Sequence, residues 1–121
     1  MRARERRLIV AFLTTHDAMA FDDYCDEKLG KKLMKAFIFA LTNQDEAPDK
    51  VICYNTGAFL TTRDADTVKD LKTLEAAGTT VMTCGTCLDF YGLKAELQVG
   101  IVPNMYDIVE AQMSAAQIIR P

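Results

Sequence analysis

Thr79-Thr80-Val81-Met82-Thr83-Cys84-Gly85-Thr86-Cys87 decides how this chain is read. Thr79 to Thr83 is β-branched and apolar and has the length of a strand. A helix is predicted just beyond, over Leu88 to Leu97. The two thiols therefore fall at a strand-to-helix turn. The thiolate is the reactive form of cysteine, and the aligned N–H groups of a first helical turn favour an anion. Cys84 ends the strand and is expected near the rim, partly exposed. Cys87 is expected in the first turn. Either qualifies as the reactive thiol. Gly85 allows a positive φ or the close approach of a substrate to the backbone. Thr86 is a candidate helix cap.

Outward from this point, strand and helix alternate. Leu8 to Leu13 is a continuous apolar run, as in a strand buried on both faces of a parallel sheet. Leu29, Leu33, Met34, Phe37, Ile38 and Leu41 recur at helical spacing, giving a helix from about 26 to 43. Val51-Ile52-Cys53-Tyr54 is a strand closed by an Asn55-Thr56-Gly57 turn. A helix over Asp66 to Ala77 stops at Gly78. Val99-Gly100-Ile101-Val102 is predicted as a fourth strand, Asn104 to Ala115 as a helix capped by Asn104, and Gln117 to Arg120 as a last strand. Five strands alternating with four helices predict a three-layer α/β/α domain around a parallel sheet. The 121 residues suit one domain, with 1–7 expected to be flexible.

Right-handed crossovers put every strand-to-helix loop at one edge of such a sheet, where ligands bind in this architecture. His16, Asp17, Asn55, Gly57, Gly85, Thr86 and Asn104 are therefore the candidate substrate-binding residues around Cys84 and Cys87. His16 could act as a base or as the imidazolium partner of a thiolate. Cys25 is a possible auxiliary thiol. Tyr91 and Tyr106 are read as packing residues that could also close a pocket, and the methionines as core filling.

Composition narrows the function. Net charge is −3, which gives no reason to expect a nucleic-acid partner. No segment approaches the length of a membrane span. Four cysteines in a chain with a sizeable core suggest a reducing compartment. The CxxC pair could be a redox dithiol, half of a zinc site, a persulfide carrier or two packed side chains. A structural zinc site needs about four ligands, and only Cys25, Cys53 and His16 are left to supply them, so no metal is expected. There is no phosphate-binding glycine loop, no HExxH and no serine elbow, so no cofactor is expected.

Cys84-Gly85-Thr86-Cys87-Leu88-Asp89-Phe90-Tyr91-Gly92-Leu93-Lys94, with Val99-Gly100 and Asn104-Met105-Tyr106-Asp107-Ile108-Val109, resembles the C-terminal domain of YedF-type selenium-metabolism proteins. That domain belongs to the DsrE/DsrF-like sulfur-relay superfamily. The resemblance extends to Leu29-Gly30-Lys31-Lys32-Leu33-Met34 and to Asn55-x-Gly57. It implies a five-stranded sheet in the order 4-3-2-1-5, oligomeric assembly and cytoplasmic sulfur trafficking. It implies donor and acceptor proteins of TusA-like or cysteine desulfurase type, and by position it matches the working cysteine to Cys84. The N-terminal TusA-like domain that usually accompanies the YedF type is not in this chain, and the stretch Thr15 to Tyr24 departs from the family pattern. The leading reading is a persulfide carrier or sulfurtransferase, with a link to selenium metabolism implied by the resemblance. The alternatives are a CxxC dithiol oxidoreductase and a non-catalytic binding subunit. Phe21, Phe59, Leu60 and Phe90 have no obvious place in the core. A homo-oligomer with the thiols at or beside an interface is therefore expected.

Overall fold

The computed structural model describes residues 10–14 and 27–121. His16, Asp17, Phe21, Cys25 and residues 1–7 lie outside the described residues. Four strands, β1 (Val10–Thr14), β2 (Lys50–Cys53), β3 (Thr80–Thr83) and β4 (Gln117–Ile119), form a sheet in the order β3-β2-β1-β4. All three pairings are parallel. The helices are α1 (Glu27–Leu41), α2 (Ala65–Ala76), α3 (Gly85–Phe90) and α4 (Met105–Ser114), with 3-10 helices at Asn55–Thr61 and Lys94–Glu96.

Period-two alternation along β2 and β3 builds the layers. Val51, Cys53 and Val81 face one way and pack with Met34 and Ile38 of α1 and Leu71 and Leu74 of α2. Ile52 and Met82 face the other way and pack with Ile108 and Ala111 of α4. The result is the three-layer α/β/α arrangement. The α2 start is fixed by the Asp64 carboxylate, which accepts from the N–H groups of Asp66 and Thr67. Its end is the left-handed Gly78, at φ 108°.

Three expectations need correction. The fourth strand expected over Val99 to Val102 is a single parallel bridge between Ile101 and Met82. Gly100, at φ 86°, turns the chain just before it, and Pro103 has no N–H to extend it. The helix expected over Leu88 to Leu97 instead begins at Gly85 and ends at Phe90. Gly92, at φ 67°, reverses the chain there, and the Leu93 N–H returns to the Leu88 carbonyl at 2.7 Å. The large apolar side chains also sort differently from expectation. Leu60 is buried, and Phe59 packs on Tyr91 with ring centroids 5.1 Å apart. Phe90 is exposed, and among the methionines Met34 and Met82 are buried while Met105 and Met113 are not.

Candidate functional site

Three elements meet at the C-terminal edge of the sheet. The Cys84 N–H donates to the Cys53 carbonyl at 3.0 Å, which carries the β2–β3 ladder one residue past the strands. A buried pair of hydroxyls, Thr61 and Thr83, 2.8 Å apart, ties the first 3-10 helix to the end of β3. Ala58 of that 3-10 helix packs with Leu88 and Leu93, which seats α3 on the edge. On the far side α4 is started by a reciprocal cap. The Asn104 side chain accepts from the Asp107 N–H, and the Asp107 carboxylate accepts from the Asn104 N–H.

Between these elements lies an open groove of about 480 Å³. The end of β2 contributes Tyr54 and Asn55, and the start of α3 contributes Cys84, Thr86 and Cys87. The inner side of α4 contributes Met105, Ile108, Val109 and Gln112. None of these side chains is charged. A larger hollow of about 720 Å³ lies between the end of α1 and Ile119, but it contains no thiol, so the chemistry favours the smaller groove.

Cys84 is the N-cap residue of α3 and is only 6% exposed, contrary to its expected position on an open rim. Its carbonyl accepts from the Leu88 N–H at 3.1 Å, so its backbone is held at both ends. Cys87 is half-buried. Its sulfur accepts the backbone N–H of Asn55 at 3.0 Å, and the side chain packs against the cluster that contains Cys84. Burial pushes the Cys87 thiol above its ordinary value, the Asn55 N–H opposes that rise, and Cys84 adds to it. The sequence argument expects the opposite direction for a thiol at a helix start. A six-residue helix has too little aligned backbone to overcome desolvation here.

The remaining candidates separate. Asn55 belongs to the groove, and it acts through its backbone, at φ 52°. Gly57 is buried in the 3-10 helix and donates its N–H to the Tyr54 carbonyl. Gly85 has no positive φ, and a side chain there would meet Val102 rather than open space. Thr86 lines the groove but does not cap α3, which has no side-chain cap. The Asn104 side chain is committed to its cap. Tyr91 packs on Phe59 and Phe90, and Tyr106 points to solvent. Among the described residues no group of three or more His, Cys, Asp or Glu could hold a metal ion, and no helix is long and apolar enough to cross a membrane.

Tyr54 and Gln112 are the pair the sequence reading missed. The Gln112 amide donates to the Tyr54 hydroxyl across the groove. Burial raises the Tyr54 phenol, an effect opposed by Gln112 and by the nearby Arg120. The signal available in the sequence was spacing: Gln112 lies one helical turn after Ile108, on the face of α4 that reaches the sheet.

No family model and no curated protein sequence matches this chain. Its fold is found in solved structures. A protein of unknown function, MTH1491 from Methanobacterium thermoautotrophicum, has a TM-score of 0.65 at 20% identity, over 93% of this chain and 97% of that one. The YchN protein of E. coli has a TM-score of 0.65 at 18% identity, over 92% of this chain and 97% of that one. A conserved protein of unknown function, BT1422 from Bacteroides thetaiotaomicron, has a TM-score of 0.58 at 11% identity, over 93% of this chain and 95% of that one. The first two are DsrE-like folds, and this chain shares that fold.

Proposed function

We propose that this protein carries sulfane sulfur as a cysteine persulfide on Cys84-Gly85-Thr86-Cys87, taking it from one protein and passing it to another. The observation that carries this reading is the pair of thiols in the wall of an open groove, with Cys87 packed against the cluster that contains Cys84 and its sulfur held by the Asn55 N–H. A persulfide must be reachable by a partner thiol and sheltered from bulk water. An uncharged groove beside a buried residue meets both needs. The DsrE-like fold fits a sulfur-relay role. Donor and acceptor are proteins of cysteine desulfurase or TusA-like type, and the cytoplasm is the compartment in which such free thiols persist. A link to selenium rests on the YedF-type resemblance alone.

The apolar stripe of α4 makes a homo-oligomer part of this proposal. Met105, Val109 and Met113 follow one another at helical spacing and are exposed, and Ile101 and Val102 are exposed as well. Because α4 also lines the groove, an interface on this stripe would narrow the opening.

The packing of Cys87 against the cluster that contains Cys84 also favours a second reading, a dithiol oxidoreductase that cycles the same pair without carrying sulfur. Incubation with a cysteine desulfurase and radiolabelled cysteine separates the two. Label that stays with the chain on a non-reducing gel and leaves with reductant supports sulfur carriage. Disulfide formation with neither bound label nor labelled hydrosulfide released supports the oxidoreductase and rejects carriage.

A further inference from the structure

We propose that the two thiols divide the work: Cys87 receives the sulfur, and Cys84 discharges it as hydrosulfide. This assignment rests on the persulfide reading above and adds an order to it. The resemblance by position pointed to Cys84 as the working thiol, whereas the geometry favours Cys87.

Three observations carry it. First, the sulfurs differ in access. Cys87 is half-buried in the groove wall, whereas Cys84 is 6% exposed and lies among Ile52, Met82 and Ile108. A donor persulfide on another protein reaches Cys87 first. Second, among the described residues, only Cys87 has a fixed donor on its sulfur, the Asn55 N–H at 3.0 Å, from a residue held at φ 52°. A backbone N–H aimed at sulfur stabilises the thiolate that attacks and the persulfide anion that follows. Third, Cys84 and Cys87 line the same groove, with Cys87 packed against the cluster that contains Cys84, and the Cys84 backbone is held at both N–H and carbonyl. A resolving thiol needs that proximity more than it needs exposure. Cys53 takes no part, because it is fully buried and packs on the opposite face of the sheet.

The chemistry balances in two steps. The Cys87 thiolate attacks the outer sulfur of a donor hydropersulfide. The donor S–S bond breaks, the donor leaves as a thiolate, and Cys87 holds –S–SH. The Cys84 thiol then loses its proton to solvent and attacks the inner sulfur, which is Cys87 Sγ. The Cys87 S–S bond breaks and hydrosulfide departs. The sulfane sulfur is reduced by two electrons, and the two cysteines are oxidised to a disulfide. An external dithiol reductant restores both thiols. An acceptor thiol that attacks the outer sulfur before Cys84 does takes the sulfur instead and leaves both cysteines reduced. Cys84 therefore limits how long sulfur stays on an unpartnered chain.

The test uses the full chain, reduced and free of air, with cysteine hydropersulfide as the probe. Samples are quenched with an alkylating agent over time and mapped by peptide mass spectrometry. In the wild type the first sulfur should sit on Cys87, followed by hydrosulfide release and a Cys84–Cys87 disulfide. Cys84→Ser should keep its sulfur on Cys87 and release hydrosulfide about tenfold more slowly or worse. Cys87→Ser should load about tenfold more slowly. The wild-type time course needs no variant, so a misfolded variant does not spare the proposal. Sulfur appearing first on Cys84, or loading of Cys87→Ser at the wild-type rate, overturns the order while leaving sulfur carriage intact. No sulfur on either cysteine overturns the order and the carriage together.

Discussion

The backbone N–H of Asn55 donates to the sulfur of Cys87 across 3.0 Å, joining the end of β2 to the first turn of α3. The bond depends on Asn55 holding φ at 52°, a region that glycine and asparagine tolerate and β-branched residues avoid. Asn55→Gly should keep both the bond and the fold. Asn55→Val should cost about 1–2 kcal/mol and displace the donor. Cys87 alkylation followed against pH reports the donor. Burial already places the wild-type midpoint above the ~8.5 of a free thiol, so reactivity climbs with pH. The Val variant should move the midpoint higher still, and an unchanged midpoint would mean the Asn55 N–H has no influence on the thiolate.

Cys53 gives the fold itself a pH dependence. Burial pushes its thiol from 9.0 up to about 12. Below pH 9 both folded and unfolded chains keep the proton, and the stabilisation is fully present. Between 9 and 12 the unfolded chain loses the proton and the folded chain retains it. Stability therefore falls with rising pH by up to about 1.4 kcal/mol per unit. Cys53→Ala should be about 1 kcal/mol less stable near neutrality, and its deficit should shrink above pH 9. Urea unfolding at several pH values measures the gap, and parallel curves would contradict the linkage.

Gly100 packs directly against the backbone of β3. A Cβ there would lie 2.4 Å from the Val81 carbonyl oxygen, and the φ of 86° already disfavours a side chain. The next residue makes the bridge to β3, with the Ile101 N–H on Val81 at 2.8 Å and the Ile101 carbonyl accepting from Thr83 at 3.0 Å. Gly100→Ala should cost about 3 kcal/mol. Gly85→Ala meets only the side chain of Val102 and should cost less than ~1 kcal/mol. Equal losses in denaturant titrations would contradict the distinction.

These positions mark where sequence reasoning ran out. The Asn104 cap located α4, and helix periodicity located α1 and α2 because each buries one face, Met34 and Ile38 in one and Leu71 and Leu74 in the other. The strand before the CxxC and the parallel sheet were legible for the same reason. The length of α3 was not, because it is decided by the left-handed Gly92 and by Leu88 and Leu93 packing on a 3-10 helix that follows no simple period. The burial of Cys84 was hidden because α4 packs over it from far along the chain. The Tyr54–Gln112 contact spans 58 positions, so helical spacing puts Gln112 on the sheet-facing side of α4 without naming its partner.

The exposed stripe of α4 should hold copies of the chain together. Val109→Lys with Met113→Glu alters side chains that are 49% and 82% exposed, so the fold should change by less than ~1 kcal/mol. Sedimentation at micromolar concentration should find an oligomer in the wild type and a smaller species in the double variant. A wild-type monomer would remove the α4 interface from the proposal.

Sulfur bound to the CxxC is the core of the proposal, and intact mass after incubation with a cysteine desulfurase and cysteine tests it most directly. The wild type should gain the mass of one or more sulfur atoms and lose it on reduction. Cys53→Ser should behave like the wild type, because its thiol is sealed in the core. The double variant Cys84→Ser with Cys87→Ser should gain nothing. Wild type that neither gains sulfur mass nor releases hydrosulfide, or a double variant that gains sulfur as readily, would contradict persulfide chemistry at this site.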